Sequence, residues 1–456
     1  MLLTSGLISR LLSERKLAAM QAGREFLETH STDELLKLVG QRIKGISATD
    51  PEDKLVLPSC YGGGQPSQGE DYLVGKGLFY ITEEGRLFLD CTSGHYQMVW
   101  GYNHPQLCRA VEEGQKAGIV WDNHSNIPQA PVKCLANRLV ALANAPDGSH
   151  SIDKALIGIC TGTSACAAAL KMQLCSYQRS RGDKGPPIMV VLDGNYHGTD
   201  MFTQYLRGMW REYLTNLEVI SVQPNDRGQL QNVFNQYGER IAAFWAEPVM
   251  MKREAILVEP DYLRLAGECC DAVGAALCID EIQTGFWQPG ILYSPSIGVK
   301  PDMIVVGKGM TAGFHPLSAL LFNSKYDILE QYDALNTNGG AALASYVGLC
   351  CLDMVESVSE QIVSVGDQIM SGLSSLATQF NDRIQQTQGF RHLAGLKFRQ
   401  VEDALDFHRR AVESGLWIRA HAYHQGHSTV LTKLGLLADE KIVDYMIAGF
   451  RSLLQN

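Results

Sequence analysis

The feature that most constrains the fold is a series of five short apolar runs between about residues 150 and 325, each followed by a stretch of helical character. The runs are ALIGI, IMVVLD, IAAFWA, ALCID and DMIVVG. Near-continuous runs of this kind are typical of strands buried on both faces, which occur in parallel sheets covered by helices. Their alternation with helices predicts an α/β domain built on a mainly parallel sheet.

Each run is followed, at its end or shortly after it, by residues suited to contact a ligand. These residues are Thr161, Gly162, Tyr196, His197, Glu247, Asp280 and Lys308. Ligands of parallel sheets bind in the crevice beyond the carboxyl ends of the strands. The sequence therefore predicts that these residues converge on one site.

The remainder of the chain divides into segments around this domain. A chain of 456 residues exceeds one ordinary hydrophobic core, so a large and a smaller domain are expected. Residues 1–50 have apolar positions at helical spacing and are predicted to form a helical arm. Residues 51–125, which contain the hairpin-like FYITEEGRLFLD, and residues 346–456 are predicted to form a small α+β domain from both termini. Residues 126–345 then form the large domain.

Composition excludes several classes of partner. A net charge of -10 argues against a nucleic-acid surface, which needs clustered Lys and Arg. No apolar stretch approaches the roughly 18 to 20 residues that cross a membrane, and charges near the start argue against a signal peptide. The twelve cysteines show no CxxC spacing, so we expect no metal site, and we expect reduced thiols in a cytoplasmic protein.

Two residues at strand ends suit covalent and ionic chemistry. Lys308 lies between glycines after an apolar strand, which leaves room for a bulky ligand near the backbone. Asp280 ends a buried strand, and a buried carboxylate needs a cationic partner. The protonated pyridine nitrogen of pyridoxal 5′-phosphate (PLP) would provide one. Taken singly, the same residues also fit a surface loop and a helix-capping aspartate.

Two further motifs suit the rest of such a cofactor. Gly162 and Thr163 precede an alanine-rich helix, whose first turn exposes N–H groups that bind phosphate readily. Tyr196, next to His197 in DGNYHGTD, is expected at the mouth of the same crevice, where its ring can stack on a flat cofactor. An ordinary N-cap and an aromatic residue that covers the core are the structural alternatives.

Together these stretches resemble the class III aminotransferase family of fold-type I PLP enzymes, from about Gly75 to the C-terminus. The resemblance implies a large domain with the seven-stranded type of sheet, flanked by helices, and a smaller α+β domain. It implies that Lys308 is the Schiff-base lysine and general base. Asp280 would be the partner of the pyridine nitrogen, and Gln283 would contact the ring hydroxyl.

The resemblance also assigns the remaining cofactor contacts. Gly162 and Thr163 would hold the phosphate through backbone N–H groups, Tyr196 would stack on the ring, and Glu247 would lie beside the cofactor. Thr337 in NTNGGA resembles the threonine that reaches the phosphate of the neighbouring subunit's cofactor. This match implies a homodimer with its active sites at the interface.

Three departures from the family concern the substrate. The usual Ser-Gly-Ser-Glu-Ala is replaced by residues 161–165, TGTSA, which lack the glutamate. Thr432, followed by Lys433, stands about where members that use 2-oxoglutarate carry an arginine for the substrate carboxylate. The loop 250–254, MMKRE, lacks the Gly-Glu-Gly-like sequence whose glutamate can mask that arginine.

The loss of both the arginine and the masking glutamate indicates that the enzyme does not alternate between a neutral amine donor and glutamate in the usual manner. Lys252 and Arg253 are candidates to bind an anionic group such as carboxylate, phosphate or phosphonate, and a solvated pair is the alternative. Tyr96 and Trp100, together with the neighbouring His95, are nominated as pocket residues, with core packing as the alternative.

Three functions are compatible with the motifs. The first is a PLP-dependent aminotransferase that acts on the amino group of a small primary amine or amino acid. The second is a non-transaminating relative, either an ammonia-lyase or phospho-lyase on a hydroxylated or phosphorylated amine, such as a hydroxy-aminoethylphosphonate, or a racemase. A non-catalytic PLP-binding protein is the third, and the presence of both Lys308 and Asp280 argues against it.

Overall fold

The computed structural model describes residues 12–48, 71–120, 122, 127–144, 152–213, 215–334, 339–422 and 426–455. The strands in chain order are β1 (Tyr72–Lys76), β2 (Phe79–Thr82), β3 (Leu87–Asp90), β4 (Lys154–Ile159), β5 (Ile188–Leu192), β6 (Glu218–Val222), β7 (Ile241–Ala246), β8 (Val249–Met250), β9 (Ile256–Leu257), β10 (Ala276–Asp280), β11 (Met303–Val306), β12 (Ser318–Phe322), β13 (Ile384–Phe390), β14 (Leu393–Phe398), β15 (Leu416–Trp417), β16 (Arg419–His421) and β17 (Thr429–Lys433).

Seven of these strands form the central sheet, in the order β4-β12-β11-β10-β7-β5-β6. The neighbouring strands from β11 to β6 run parallel, whereas β12 is antiparallel to both β11 and β4. The five apolar runs correspond to β4, β5, β7, β10 and β11, so the predicted mainly parallel sheet is confirmed. The edge strand β6 and the antiparallel β12 were not predicted.

The described part of the chain forms fourteen α-helices. They are α1 (Glu14–Thr29), α2 (Thr32–Leu38), α3 (Ser93–Tyr96), α4 (Pro105–Lys116), α5 (Ala130–Ala143), α6 (Gly162–Arg181), α7 (Met201–Leu206), α8 (Arg227–Tyr237), α9 (Pro260–Val273), α10 (Tyr293–Ser296), α11 (Ala342–Ser357), α12 (Ser359–Gln379), α13 (Val401–Glu413) and α14 (Glu440–Gln455). In β5, Met189 and Val191 pack in one core with α6, whereas Val190 and Leu192 pack in another with α8 and α9. Burial on both faces explains why the run is continuously apolar.

Two smaller four-stranded sheets contain most of the other strands, and the first of them joins the two ends of the chain. The first has the order β1-β2-β3-β15 and pairs β3 in parallel with β15, more than 320 residues later in the sequence. The second has the order β13-β14-β17-β16. The hairpin expected in FYITEEGRLFLD is formed by β2 and β3. The division of the chain into arm and domains remains a prediction.

A helix that crosses a membrane must be both long and apolar. In the described part of the chain, no single helix is long and apolar enough to cross a membrane. The helices α11 and α12, which meet at a bend of 71°, reach that length and composition only when they are taken together.

Candidate active site

A cavity of about 400 Å³ lies beyond the carboxyl ends of the parallel strands. This is the position where ligands bind in open α/β sheets. Eight of the nine residues predicted to contact a cofactor line it, and they come from five separate stretches of the chain. The eight are Gly162, Thr163, Tyr196, His197, Glu247, Asp280, Gln283 and Lys308. The ninth, Thr337, lies outside the described residues.

Asp280 is a buried carboxylate at the last position of β10, with its hydrogen bonds fixed by three neighbours. His197 Nδ1 lies 2.8 Å from its Oδ2, the backbone N–H of Ile282 donates to its Oδ1 at 3.0 Å, and the Cys166 thiol lies 3.6 Å from Oδ2. Burial opposes the charged form of His197, but the hydrogen bond and charge of Asp280 outweigh it and raise the pKa of His197. His197 therefore holds the Asp280 carboxylate in one orientation, and both residues line the cavity.

Lys308 follows β11 directly, has a φ of 41°, and begins a short 3₁₀ turn that ends at Thr311. Burial lowers the pKa of its ammonium group, and the charges of Asp280 and Glu247 partly oppose that shift. A lysine with a lowered pKa is more often neutral, which is the form that reacts with carbonyl groups.

The glycine that follows Lys308 has a different purpose from the one predicted. A Cβ on Gly309 would lie 2.7 Å from the ring of Trp287 and 2.8 Å from Phe286 Cβ. Gly309 is therefore required by packing against the protein itself, not by the approach of a ligand.

The opposite end of the cavity is the first turn of the 20-residue helix α6. Its N-cap, Thr161, makes no side-chain hydrogen bond to this turn. A Cβ on Gly162 would lie 2.3 Å from Ile282 Cδ1, so the glycine allows the helix terminus to approach the end of β10 closely. A helix N-terminus that opens into a cavity is a suitable site for a phosphate group.

Glu247, just beyond β7, is a second buried carboxylate in the cavity. Its Oε1 accepts a hydrogen bond from the backbone N–H of Tyr196 at 2.8 Å, which ties the end of β7 to the Tyr196 loop. Burial raises the pKa of Glu247 to about 7; the charge of Asp280 adds to the shift, whereas the charge of His197 opposes it.

The raised pKa of Glu247 predicts a pH-dependent stability. The unfolded chain binds this proton only below about pH 4.5, whereas the native protein binds it up to about pH 7. The contribution of Glu247 to stability is therefore fully present below pH 4.5 and is lost as the pH rises to about 7. As the pH rises across this range, we expect the free energy of unfolding of cofactor-free Glu247→Gln to increase relative to that of the wild type, by on the order of 3 kcal/mol. Denaturant titrations at several pH values test this, and a difference that does not change with pH would contradict it.

Three residues nominated for the substrate do not line the cavity. Arg253 is turned away, because its guanidinium group donates to the Asp193 carboxylate at 2.6 Å and to Gln223 Oε1 at 2.8 Å. Tyr96 and Trp100 are each only 4% exposed and pack in the main core. The neighbour His95, which the sequence also nominated, lines the cavity.

The loop 250–254 does contain a glutamate that reaches the C-terminal strand. Glu254 accepts hydrogen bonds from Lys397 Nζ, the Thr429 hydroxyl and the Ser428 N–H, each at 2.7 Å. Burial opposes its charged form, but these donors outweigh burial and lower the pKa of Glu254. Thr432, at the position expected for an arginine, is buried, with its hydroxyl 3.4 Å from Ala394 O. Sequence analysis missed the Glu254–Lys397 pair because the two residues are 143 positions apart.

Three basic residues lie near the cavity, and two of them, Arg207 and Arg419, were not recognised from the sequence. Arg207 Cζ and Lys252 Nζ lie 5.3 and 4.7 Å from the centroid of the Tyr196 ring, and Arg419 Cζ lies 5.9 Å from that of Tyr96. Lys252 was a candidate, but Arg207 and Arg419 lie in stretches with no sequence motif. Burial lowers the pKa of the cavity residue His95, and the charge of Arg419 lowers it further, which shows that Arg419 is close to the site.

The residues present fit PLP. An amine at Lys308, a buried carboxylate at Asp280 and an open helix terminus at Gly162 match the aldehyde, the pyridine nitrogen and the phosphate of that cofactor. The cavity walls include the ring of Tyr196 on one stretch of chain and Ile282 on another, which suits a flat aromatic ligand.

Comparison with known proteins agrees with this chemistry. The model of the family described as Aminotransferase class-III matches residues 68–433. Ornithine aminotransferase from Emericella nidulans is 27% identical over 338 residues, which are 69% of this chain and 70% of that protein. Acetylornithine aminotransferase from Agrobacterium fabrum is 29% identical over 347 residues, 71% and 80% of the two chains.

Solved structures show the same fold. A transaminase from the marine bacterium Virgibacillus superposes with a TM-score of 0.76 at 18% identity, over 89% of this chain and 96% of that chain. These matches favour an aminotransferase and give no support to the lyase alternative. Class III aminotransferases depend on PLP. The family match extends over most of the chain, and we conclude that this protein is an enzyme that belongs to the class III aminotransferase family.

Proposed function

We propose that this enzyme transfers the amino group of a small primary amine, one that also carries an anionic group, to an oxo acid, and that Lys308 holds the cofactor. The observation that carries this proposal is the cavity in which Lys308 meets the buried Asp280–His197 pair and the N-terminus of α6. Two of the amines named for the relatives, ornithine and acetylornithine, are small molecules with a carboxylate and support the same class of substrate, whereas putrescine, named for a third, has no anionic group.

Each residue of the site has a role in this reaction. PLP supplies an aldehyde that condenses with amines and a ring that withdraws electrons from the adjoining carbon. Lys308 would hold the aldehyde carbon and, once displaced by the substrate amine, would move a proton from the substrate's α carbon. Asp280, oriented by His197, would balance the positive pyridine nitrogen. Tyr196 would stack on the ring, and Gln283 would contact its hydroxyl.

The basic residues near the cavity support an anionic substrate. Among the described residues, no carboxylate forms a salt bridge with Arg207, Lys252 or Arg419. Burial lowers the pKa of Lys252, and the nearby charge of Arg207 lowers it further. The charge of Glu247 opposes this shift only in part, so an anionic group of the substrate would further stabilise the charged form of Lys252. Carboxylate, phosphate and phosphonate all meet this requirement.

Substrate selectivity tests this role. Lys252→Met keeps most of the apolar stem and removes the charge, so we expect KM for an anionic amine to rise about ten-fold, equivalent to about 1.4 kcal/mol, with little change in kcat. KM for a neutral amine of equal length should not change. Arg253→Met is the matched control from the same loop, because its guanidinium is bound to Asp193. Equal effects of Lys252→Met on both amines would contradict the proposal.

The assembly and the compartment are further proposals. We expect a homodimer, in which Thr337 contacts the cofactor of the partner subunit, and a cytoplasmic location. All eleven described cysteines are free, which is compatible with a reducing compartment. Light scattering that gives the mass of one chain at micromolar concentration would contradict the dimer.

Chemical trapping tests the assignment of Lys308. Borohydride reduction makes a bond between the cofactor and its lysine permanent, so the tryptic peptide that contains Lys308 should carry the mass of the reduced cofactor. The other buried lysine near the cavity, Lys433, should be unlabelled and is the internal control. Label on Lys433, or no label on Lys308 in protein that absorbs visible light, would contradict the proposal.

A further inference from the structure

Lys433 is a fully buried lysine to which the proposed reaction assigns no role. It is the last residue of β17, its exposure is 0%, and its Nζ lies 3.6 Å from the centroid of the Trp287 ring. Within the described part of the chain, it forms no salt bridge with a carboxylate. Burying a lysine is costly unless its N–H groups are hydrogen bonded, so the identity of its partners indicates what it does.

Three oxygens surround the amine of Lys433. Its Nζ lies 2.8 Å from the backbone oxygen of Gln283, 3.1 Å from Gln283 Oε1 and 3.2 Å from the backbone oxygen of Tyr96. An ammonium group has three N–H donors and no acceptor, so these three oxygens satisfy all of its hydrogens. The face of the Trp287 ring also attracts a cation. Burial lowers the pKa of Lys433, and the charge of Lys308 lowers it further. The three oxygens and the Trp287 ring favour the charged form and oppose this shift.

This arrangement fixes the direction of the Gln283 amide. A primary amide presents an acceptor oxygen at one end and a donor nitrogen at the other, and the two ends have nearly the same shape. Lys433 donates to Gln283 Oε1, and its ammonium form has no acceptor for Nε2, so that form holds Oε1 towards Lys433. Gln283 also lines the cavity, so Nε2 is the end left to face a bound ligand.

We propose that Lys433 is a positioning residue that makes Gln283 present Nε2, a hydrogen-bond donor, to the ring hydroxyl oxygen of the cofactor. This inference rests on the proposed role of Gln283 as the contact to that oxygen. A donor stabilises the oxygen when it is negatively charged, whereas an amide turned the other way would present Oε1 and disfavour that charge. Lys433 thus affects the cofactor through Gln283, in addition to the direct effect of its charge on Lys308.

The visible absorbance of the PLP-loaded protein is measured as a function of pH. The pH midpoint of its change reports this effect. Lys433→Met keeps the apolar stem but removes the donors, so the amide is free to turn, and we expect the midpoint to rise by about one pH unit, the effect of about one hydrogen bond. Gln283→Met should raise the midpoint by a similar amount. In the double variant, the shift should be smaller than the sum of the two single shifts, because part of the effect of Lys433 acts through Gln283.

The matched control is Lys397→Met, which removes a partly buried lysine from the neighbouring strand β14. Lys397 pairs with Glu254 at 2.7 Å and does not line the cavity. This variant should lose thermal stability but keep the absorbance midpoint of the wild type. An unchanged midpoint in Lys433→Met, or shifts that add in the double variant, would overturn the inference.

A second variant keeps the test decisive if Lys433→Met does not fold. Gln283→Glu retains an oxygen for Lys433 but offers only oxygens to the cavity, so we expect it to fold and to raise the midpoint at least as much as Gln283→Met. A wild-type midpoint in Gln283→Glu would overturn the donor role of Nε2. Loss of the visible band together with an unlabelled Lys308 in the wild type would contradict the proposed function itself, whereas an unshifted midpoint with Lys308 labelled contradicts only the role of Lys433.

Discussion

Replacing Lys308 with alanine is expected to reduce kcat by about four orders of magnitude or more. The substitution removes the amine that holds the cofactor and also the base that moves the proton, and these two functions cannot be supplied by one neighbour. Lys433, the other lysine beside the site, has its amine bonded to three oxygens around Gln283 and Tyr96. Steady-state kinetics with PLP in excess measure the loss.

Chemical rescue distinguishes a reactive lysine from a structural one. A small amine such as methylamine should restore part of the activity of Lys308→Ala, because the alanine leaves space in the cavity for it. The same amine should not restore Lys308→Leu, in which the side chain fills that space. Lys325→Ala, at an exposed lysine paired with Asp302, is the control and should retain full activity. Full activity of Lys308→Ala without added amine would contradict the assignment.

Replacing Asp280 with asparagine is expected to lower kcat by about 10²- to 10³-fold. Asparagine has nearly the same shape but carries no charge, so it cannot balance a positive pyridine nitrogen in a buried site. The change also removes the charge that raises the pKa of His197. Kinetics at saturating PLP measure the loss of kcat, and absorbance titrations measure any loss of affinity for PLP.

The adjacent carboxylate provides a control matched in burial. Glu281 is fully buried beside Asp280, but its oxygens accept hydrogen bonds from the backbone N–H groups of Tyr293 and Ser294, at 2.6 and 2.7 Å, and from the hydroxyl of Thr284 at 3.1 Å. Glu281→Gln should therefore lower the melting temperature while PLP affinity and kcat stay near those of the wild type. Equal losses of PLP affinity in Asp280→Asn and Glu281→Gln would show that the loss of either buried charge weakens cofactor binding. This result would contradict a specific role of Asp280.

The sequence was sufficient for the centre of the fold and for the cofactor side of the site. Strands such as β5 and β10 are buried on both faces, and this environment leaves a local apolar run that can be read directly. Because ligands bind at the carboxyl ends of such strands, Asp280 and Lys308 were expected to meet before any contact was known. This inference needs only local pattern and topology.

The substrate side depends on contacts that local pattern does not contain. Arg253 looked like a free cation, but Asp193, 60 positions earlier, binds it. Arg207, directly after α7, and Arg419, on β16, are distant in sequence, and only folding brings them to the rings of Tyr196 and Tyr96. Gly309 is explained by the Trp287 ring, a contact that a Gly-Lys-Gly motif does not reveal.

Amino transfer itself is tested most directly by a single half-reaction. PLP-loaded protein is mixed with a panel of amines, including amino acids, phosphoethanolamine and hydroxylated aminophosphonates, with no oxo acid present, while absorbance and products are followed. For an aminotransferase, we expect the visible band to be converted to near-ultraviolet absorbance, with one carbonyl product formed per active site. An added oxo acid should restore the band. Release of ammonia or phosphate over many turnovers, with the visible band retained, would contradict amino transfer and would identify a lyase.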